Sequence, residues 1–436
     1  MSKTKQGFSR RVFLKGSAAA VAAGLAGVGE SKFKTQGIFA PNVVRAQGPL
    51  LVYLAPFAQE TVQKVLPEFE EQTGLTVEFE GIPSTSGMDT MTYLSTAYSA
   101  GNSPFDVVSD ADDSAPLFMR AGWLMPLDDI IPQETWDDFP ASMDSLIEIW
   151  HSFDGARYRI PHEFSIGYFF NRQDWYDDKG VSAPTTWDEL VEVGKLFTDE
   201  DAGVWGTTDG LLKPGLLYVY IAYLAVQAGG NPFDFDEGTA QAFQFLYDMI
   251  YEHKIFPETA LNDDYTAQNE LYFLDKIACM RQWPFVYNVA LERTDWYDPS
   301  KLIVTPPPAG PAGSYSWTGG SGWDIPKFAP NPDGAKELIK FLTSKEIAPQ
   351  LARDQSFLLT PRASILEALA DEDNLIIESM AMYSDLGVPV PRPFHPRVSE
   401  AQAIVDDMAS LFLFNQATLS EVMENGKELI AALDED

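Results

Sequence analysis

Residues 50–80, LLVYLAPFAQETVQKVLPEFEEQTGLTVEFE, decide the fold. Leu50 to Ala55 is a continuous apolar run and reads as a buried strand. Pro56 to Glu60 reads as a loop. Val62, Val65, Leu66 and Phe69 then recur at i, i+3, i+4 and i+7, the spacing of one helix face, and Gly74 supplies the stop. Pro67 lies inside this pattern and predicts a kink. Leu75 to Glu80 alternates apolar with polar, as a second strand. Strand, helix and strand within about 30 residues form a βαβ unit, which requires a parallel sheet and places the chain in the α/β class.

The alternation continues outward. Asp106-Val107-Val108 reads as a short strand, followed by DADDSAPLFMRAGWLMPL (110–127), a loop leading into a helix that stops at Gly122. Thr186-Trp187-Asp188-Glu189 has the spacing of a capping box, opening a helix through Leu190, Val193 and Phe197. Asp333 is the predicted cap of a helix carrying Ala335, Leu338, Ile339 and Leu342. TPPPAGPAG (305–313) has the composition of a linker.

The N-terminus stands apart. Ser2 to Lys15 is basic, Gly16 to Val28 is a short Ala/Gly/Val run, and Arg10-Arg11 precedes Val12-Phe13-Leu14-Lys15. The run is too short to span a bilayer and fits a signal peptide, with the paired arginines of the twin-arginine export route. Cleavage is expected after Ala46, making 1–46 the signal and the periplasm the destination. No cysteine stands at the expected mature N-terminus, so no lipid anchor is expected. The formal net charge is −34, which repels nucleic acid and anionic lipid. The one cysteine, Cys279, sits in an apolar context and reads as a buried thiol. The four histidines are scattered without ligand spacing, so neither a metal site nor a cofactor is expected.

In order along the chain, FEEQTGLTVEF, SPFDVVSDADDSAPLFMRAGWLMPLDD, DGARYRIPHEFSIGYFFNRQDWYDDKGVSAPTTWDEL, FLDKIACMRQWPF, VTPPPAGPAGSYSWTGGSGWDIPKFAPNPDGAKELIKFLTS and LLTPRASI together resemble the family 1 extracellular solute-binding proteins of ABC importers. That group contains the maltose- and trehalose-binding proteins. The resemblance implies a two-lobe, hinged α/β fold of the type II periplasmic-binding-protein class, with ligand in the inter-lobe cleft. It implies chain crossings near Ile160–Glu163, Val304–Pro306 and Thr343–Lys345. The lobes would then be 47–160 plus 306–343, and 161–305 plus 344–436. It also implies a monomer that hands a carbohydrate, a small oligosaccharide, to membrane permease subunits.

A sugar site needs flat aromatic faces beside carboxylate, amide and guanidinium groups. By resemblance, Trp283 in MRQWPF matches a cleft tryptophan and Asp113 matches a sugar-contacting acid; Arg281 lies beside the former. Phe57, Gln59 and Glu60 follow the first strand, where such folds bind ligands. Glu163 and Phe164 follow the first crossing. Arg362, Arg392 and Phe394 are further candidates near the C-terminus. In SYSWTGGSGWDIPK (314–327), Trp323 stands where a nucleophile elbow needs glycine, and Ile325 stands where a dinucleotide loop needs glycine. A close-approach loop survives, with Gly319 and Gly320 beside Trp317 or Trp323 as stacking faces. Asp110, Asp112 and Asp113 lack the glycine and closing glutamate of a calcium loop.

Three functions compete at this level. The first is a carbohydrate-binding protein without catalysis, of which a binder of polyols or glycoside osmolytes is a variant. The second is an exported glycoside hydrolase using Asp113 and Glu163 as its paired carboxylates. The third is a cofactor-bearing oxidoreductase, motivated by the export signal alone.

Overall fold

The computed structural model describes residues 48–82 and 87–435; the export signal and its cleavage site, expected at 1–46, lie outside them. Strands β1 (Leu50–Tyr53), β2 (Val77–Phe79) and β3 (Val107–Ala111) pair in parallel, with Leu50 opposite Val77 and Val52 opposite Val107. Helix α1 (Pro56–Thr73) begins at Pro56 and absorbs the expected loop. A proline in the first helical turn has no N–H to leave unsatisfied and a φ already suited to the helix. The helix runs through Pro67 and ends on Gly74, whose φ of 73° is the left-handed conformation glycine adopts at little cost. Pro67 and Gln63, whose carbonyl loses its partner, both lie on the exposed face, where water can take the bond.

Next in order are β4 (Arg159–Pro161), β5 (Ser165–Ile166), β6 (Tyr168–Asn171), β7 (Trp205–Thr208) and β8 (Ile277–Gln282). They are followed by β9 (Ile303–Thr305), β10 (Ser316–Gly319), β11 (Ser321–Asp324) and β12 (Pro389–Pro391). Three sheets carry these strands, in the orders β2-β1-β3-β11-β4, β9-β6-β8-β7 and β12-β10-β5. The helices that matter for the site are α2 (Ala115–Arg120), α3 (Trp187–Phe197), α4 (Leu216–Gln227), α5 (Tyr265–Phe273), α6 (Pro332–Leu342) and α7 (Val398–Leu413).

The chain leaves the first sheet between β4 and β5 and re-enters it at Gly320, between β10 and β11. Ile303–Thr305, at the edge of the crossing expected near Val304–Pro306, forms the edge strand β9, paired with Phe169–Asn171. The prolines that follow it break the strand but do not free the chain. Ala309 N–H donates to Thr185 O (2.8 Å), Trp187 N–H to Ala309 O (3.0 Å) and Ala312 N–H to Gln227 O (2.8 Å). These bonds strap 309–312 onto the ends of α3 and α4.

Local capping departs from the expected pattern twice. Glu189 N–H donates to Thr186 Oγ1 (3.2 Å), but the Glu189 carboxylate accepts from Thr185 rather than from Thr186. At α6 the cap is Asn331, which accepts from Gly334 N–H at 3.0 Å, and Asp333 sits in the first turn. An acid there still favours the positive helix end.

Gly320 is fixed by contact. A Cβ added there would fall 2.3 Å from the Glu163 carbonyl oxygen. Gly320→Ala must therefore push two chain passages apart. The expected cost is about 1–3 kcal/mol, the range for overpacking a close-packed interior, read as a lower urea midpoint with unchanged slope. No helix among the described residues is long and apolar enough to cross a membrane.

Candidate functional site

All six residues of β8 are buried, so the strand is fixed and delivers Trp283 at its carboxyl end. The Trp283 and Trp317 rings meet edge to face, with centroids 5.3 Å apart at 72°. Trp317 lies on β10 and its Nε1–H donates to Val219 O (3.4 Å). Arg392, one residue past β12, places its guanidinium 5.0 Å from the Trp317 ring and 5.0 Å from the Trp150 ring. It ion-pairs with Asp113, which also accepts from Gln402 Nε2 of α7 at 3.1 Å. Asp113 belongs to the loop between β3 and α2, so this contact joins the first sheet to the segments after β12. Burial works against the Arg392 charge, but Asp113, Tyr218 and Asp112 outweigh it and raise its pKa.

The remaining expected residues divide. Gly319 borders the cluster, since a Cβ there would lie 3.2 Å from the Trp317 ring and 3.4 Å from Arg392. Phe57 is 52% exposed and packs on Phe285 (6.2 Å, stacked) and Phe357 (5.0 Å, edge-on). Gln59 is turned back to Leu54 O (2.9 Å), and Glu60 is exposed on α1. Glu163 is buried where the chain leaves the first sheet and accepts from Ser321 Oγ at 2.8 Å. Burial pushes its carboxyl up to about 7, against the hydrogen bonds from Ser321 and Ser165.

Trp323 is 1% exposed and packs on His162 at 4.5 Å, inside the first sheet's core. Arg362 is buried, paired with Asp138 (2.9 Å) and donating to Thr343 O (2.7 Å), so it ties down the chain after α6. Phe394 packs edge-on against Trp150 at 5.2 Å. The structure thus gathers Trp283, Trp317, Gly319 and Asp113. It places Trp323, Glu163, Gly320 and Arg362 at the chain passages. Two cavities adjoin those passages, one of about 230 Å³ lined in part by Trp150, Phe164, Thr318 and Arg392. Trp283 and Asp113 line neither cavity; both are partly exposed.

The acidic run 110–113 is consumed by cations. Arg159 is fully buried and contacts Asp110 (3.0 Å), Asp112 (3.0 Å) and Asp324 (3.7 Å), and it donates to Trp150 O at 3.1 Å. Burial raises Asp112 to about 6 even against Arg159. Among the described residues no group of three or more His, Cys, Asp or Glu is arranged to hold a metal ion. Cys279 is buried, and burial lifts its thiol to about 12.

Tyr218 and Gln402 belong to the cluster without having stood out in the sequence. Tyr218 lies on a helix that is apolar on every face and Gln402 on the core-facing side of an amphipathic one, so the hydroxyl and the amide gave no signal of their own.

The profile of the bacterial extracellular solute-binding protein family matches residues 56–349. The polygalacturonan/rhamnogalacturonan-binding protein YtcQ of Bacillus subtilis is 28% identical over 238 residues, 49% of this chain and 45% of that protein. The arabinooligosaccharide-binding protein of Halalkalibacterium halodurans is 23% identical over 236 residues, 52% of this chain and 51% of that protein. The chain thus matches about half the length of these curated relatives. Maltose-bound MalE3 of T. maritima superposes with a TM-score of 0.76 at 23% identity, covering 88% of this chain and 99% of that one. The GacH receptor of Streptomyces glaucescens gives 0.76 at 19%, covering 89% and 99%. At such identities the likeness is one of fold, the periplasmic-binding-protein architecture. With the family profile spanning most of the described residues, the chain belongs to the bacterial extracellular solute-binding proteins.

Proposed function

We propose that this protein captures a carbohydrate, a small oligosaccharide, and delivers it to an ABC importer without chemical change. The observation that carries this reading is the pairing of the Trp283 and Trp317 indoles beside the Asp113–Arg392–Gln402 cluster. Sugars offer an apolar C–H face and a belt of hydroxyls, and this is the complementary set of flat rings and planar hydrogen-bonding groups. The sugar-binding names of the relatives above point the same way. The lobes in this reading are 47–160 with 321–343, and 165–319 with 344–436. Ligand exchanges for the Asp113 contacts as the lobes part and close again, and selective affinity for the closed form drives closure.

The hydrolase reading is weaker on the same geometry. Glu163 is buried at a chain passage and bonded to Ser321, and Asp113 is spent on Arg392. The basic twin-arginine segment supports export to the periplasm in folded form. A melting-temperature screen against sugars, polyols and glycosides tests the proposal, since any ligand selective for the native state raises the midpoint. At least one oligosaccharide is expected to raise it. A flat response across the library would refute the carbohydrate reading.

A further inference from the structure

Trp283 is held with unusual thoroughness for a half-buried side chain. Its backbone N–H donates to Gln282 Oε1 (2.8 Å), and Gln282 Nε2 donates to Gln268 Oε1 (3.0 Å) and Asn269 Oδ1 (2.9 Å) on α5. Gln268 in turn donates to Arg281 O at 2.6 Å. This amide lattice fixes the chain but not the indole plane. The ring is met by Arg281, whose guanidinium lies 4.2 Å from its centroid.

Arg281 is itself enclosed. Asp209, just past β7, faces it at 3.6 Å, and the Tyr265 hydroxyl lies 3.4 Å from Nη1. Gly167 adjoins it as well, since an added Cβ there would fall 2.9 Å from Arg281 Nε. The guanidinium therefore touches both Gly167 and the indole, and a side chain at 167 would crowd it. An arginine fits there because its charge is planar and stacks on rings; a lysine offers a point charge instead. Burial opposes its charge, but Tyr265 and Asp209 keep it protonated.

We infer that Arg281 is a positioning residue of the ligand site, setting the plane of the Trp283 indole through cation–π contact, with Gly167 and Asp209 adjoining the guanidinium. The inference rests on Trp283 being the stacking face proposed above. Arg281 touches no ligand in this reading. It fixes one face of the indole so that the other is presented in a single orientation, which lowers the ordering cost of binding.

The test uses the ligand-free full-length protein, so a failed sugar screen and a failed inference remain distinct. The Trp283 contribution to emission is obtained by subtracting the spectrum of Trp283→Phe, in the parent and in Arg281→Met. Acrylamide quenching of that contribution is expected to rise about threefold or more in Arg281→Met, and to rise less in Arg281→Lys, which keeps charge without the plane. Gly167→Ala, which crowds Arg281, should shift the same difference spectrum. Should Arg281→Met fail to fold, Arg281→Lys and Gly167→Ala carry the comparison. An unchanged Trp283 spectrum and quenching constant in folded variants would overturn the inference.

Discussion

Arg159→Met is expected to destabilise the protein by about 3–5 kcal/mol, the cost of removing one partner from a buried ion pair. The reason is arithmetic of charge in a place without water. Arg159 is the cation that faces Asp110, Asp112 and Asp324 together, all four side chains being buried. Methionine fills much of the volume, so the loss is electrostatic and not a cavity. The variant also predicts its own pH signature. Burial already raises Asp112 to about 6, and burial together with Asp110 raises Asp324 well above the usual carboxylate range. Without Arg159 these carboxyls shift higher still, and each binds a proton in the native state that the unfolded chain releases at lower pH. A group with a raised native pKa stabilises below its unfolded pKa, and that stability is lost as pH rises through the native value. The deficit of Arg159→Met relative to the parent should therefore be larger at pH 8 than at pH 5. Urea unfolding at the two pH values measures it, and an equal deficit at both would place the defect in packing.

Trp283→Ala is the second large effect, on affinity. The indole is half-buried at the end of a buried strand, so the fold loses little when it is cut back. A stacked aromatic at the centre of a site is instead the kind of residue whose truncation costs about 2–3 kcal/mol, or roughly 30- to 150-fold in Kd. Trp323→Phe is the control. Trp323 lies in the first sheet's core against His162, so its replacement is expected to lower the unfolding midpoint and leave sugar affinity near the parent value. Opposite outcomes for Trp283 and Trp323 would separate ligand contact from packing.

That contrast shows where the sequence was legible. The β1–α1–β2 unit was readable because periods of 2 and 3.6 are local and Gly74 marks its own turn. Trp317 and Trp323 were not separable, because Gly320 between them carries the chain from one sheet to another. Which sheet each ring joins depends on Glu163 and Ile160, far away in the chain. The acids 110–113 posed the same difficulty. Asp112 finds its cation 47 residues on and Asp113 finds one 279 residues on. No spacing rule reaches that far. For the proline-rich 305–313, composition reports the lack of regular structure and not the backbone bonds that strap the segment down. The aromatic and charged residue types of the site were visible from the outset; their grouping was not.

The central claim is that a carbohydrate binds at the Trp283–Trp317 pair, and calorimetric titration of oligosaccharides into the parent and Trp283→Ala tests it most directly. The account predicts saturable one-to-one binding of at least one oligosaccharide, with a dissociation constant on the order of micromolar, weakened roughly 30-fold or more in the variant. No heat with any sugar, or equal affinity in the folded variant, would contradict it.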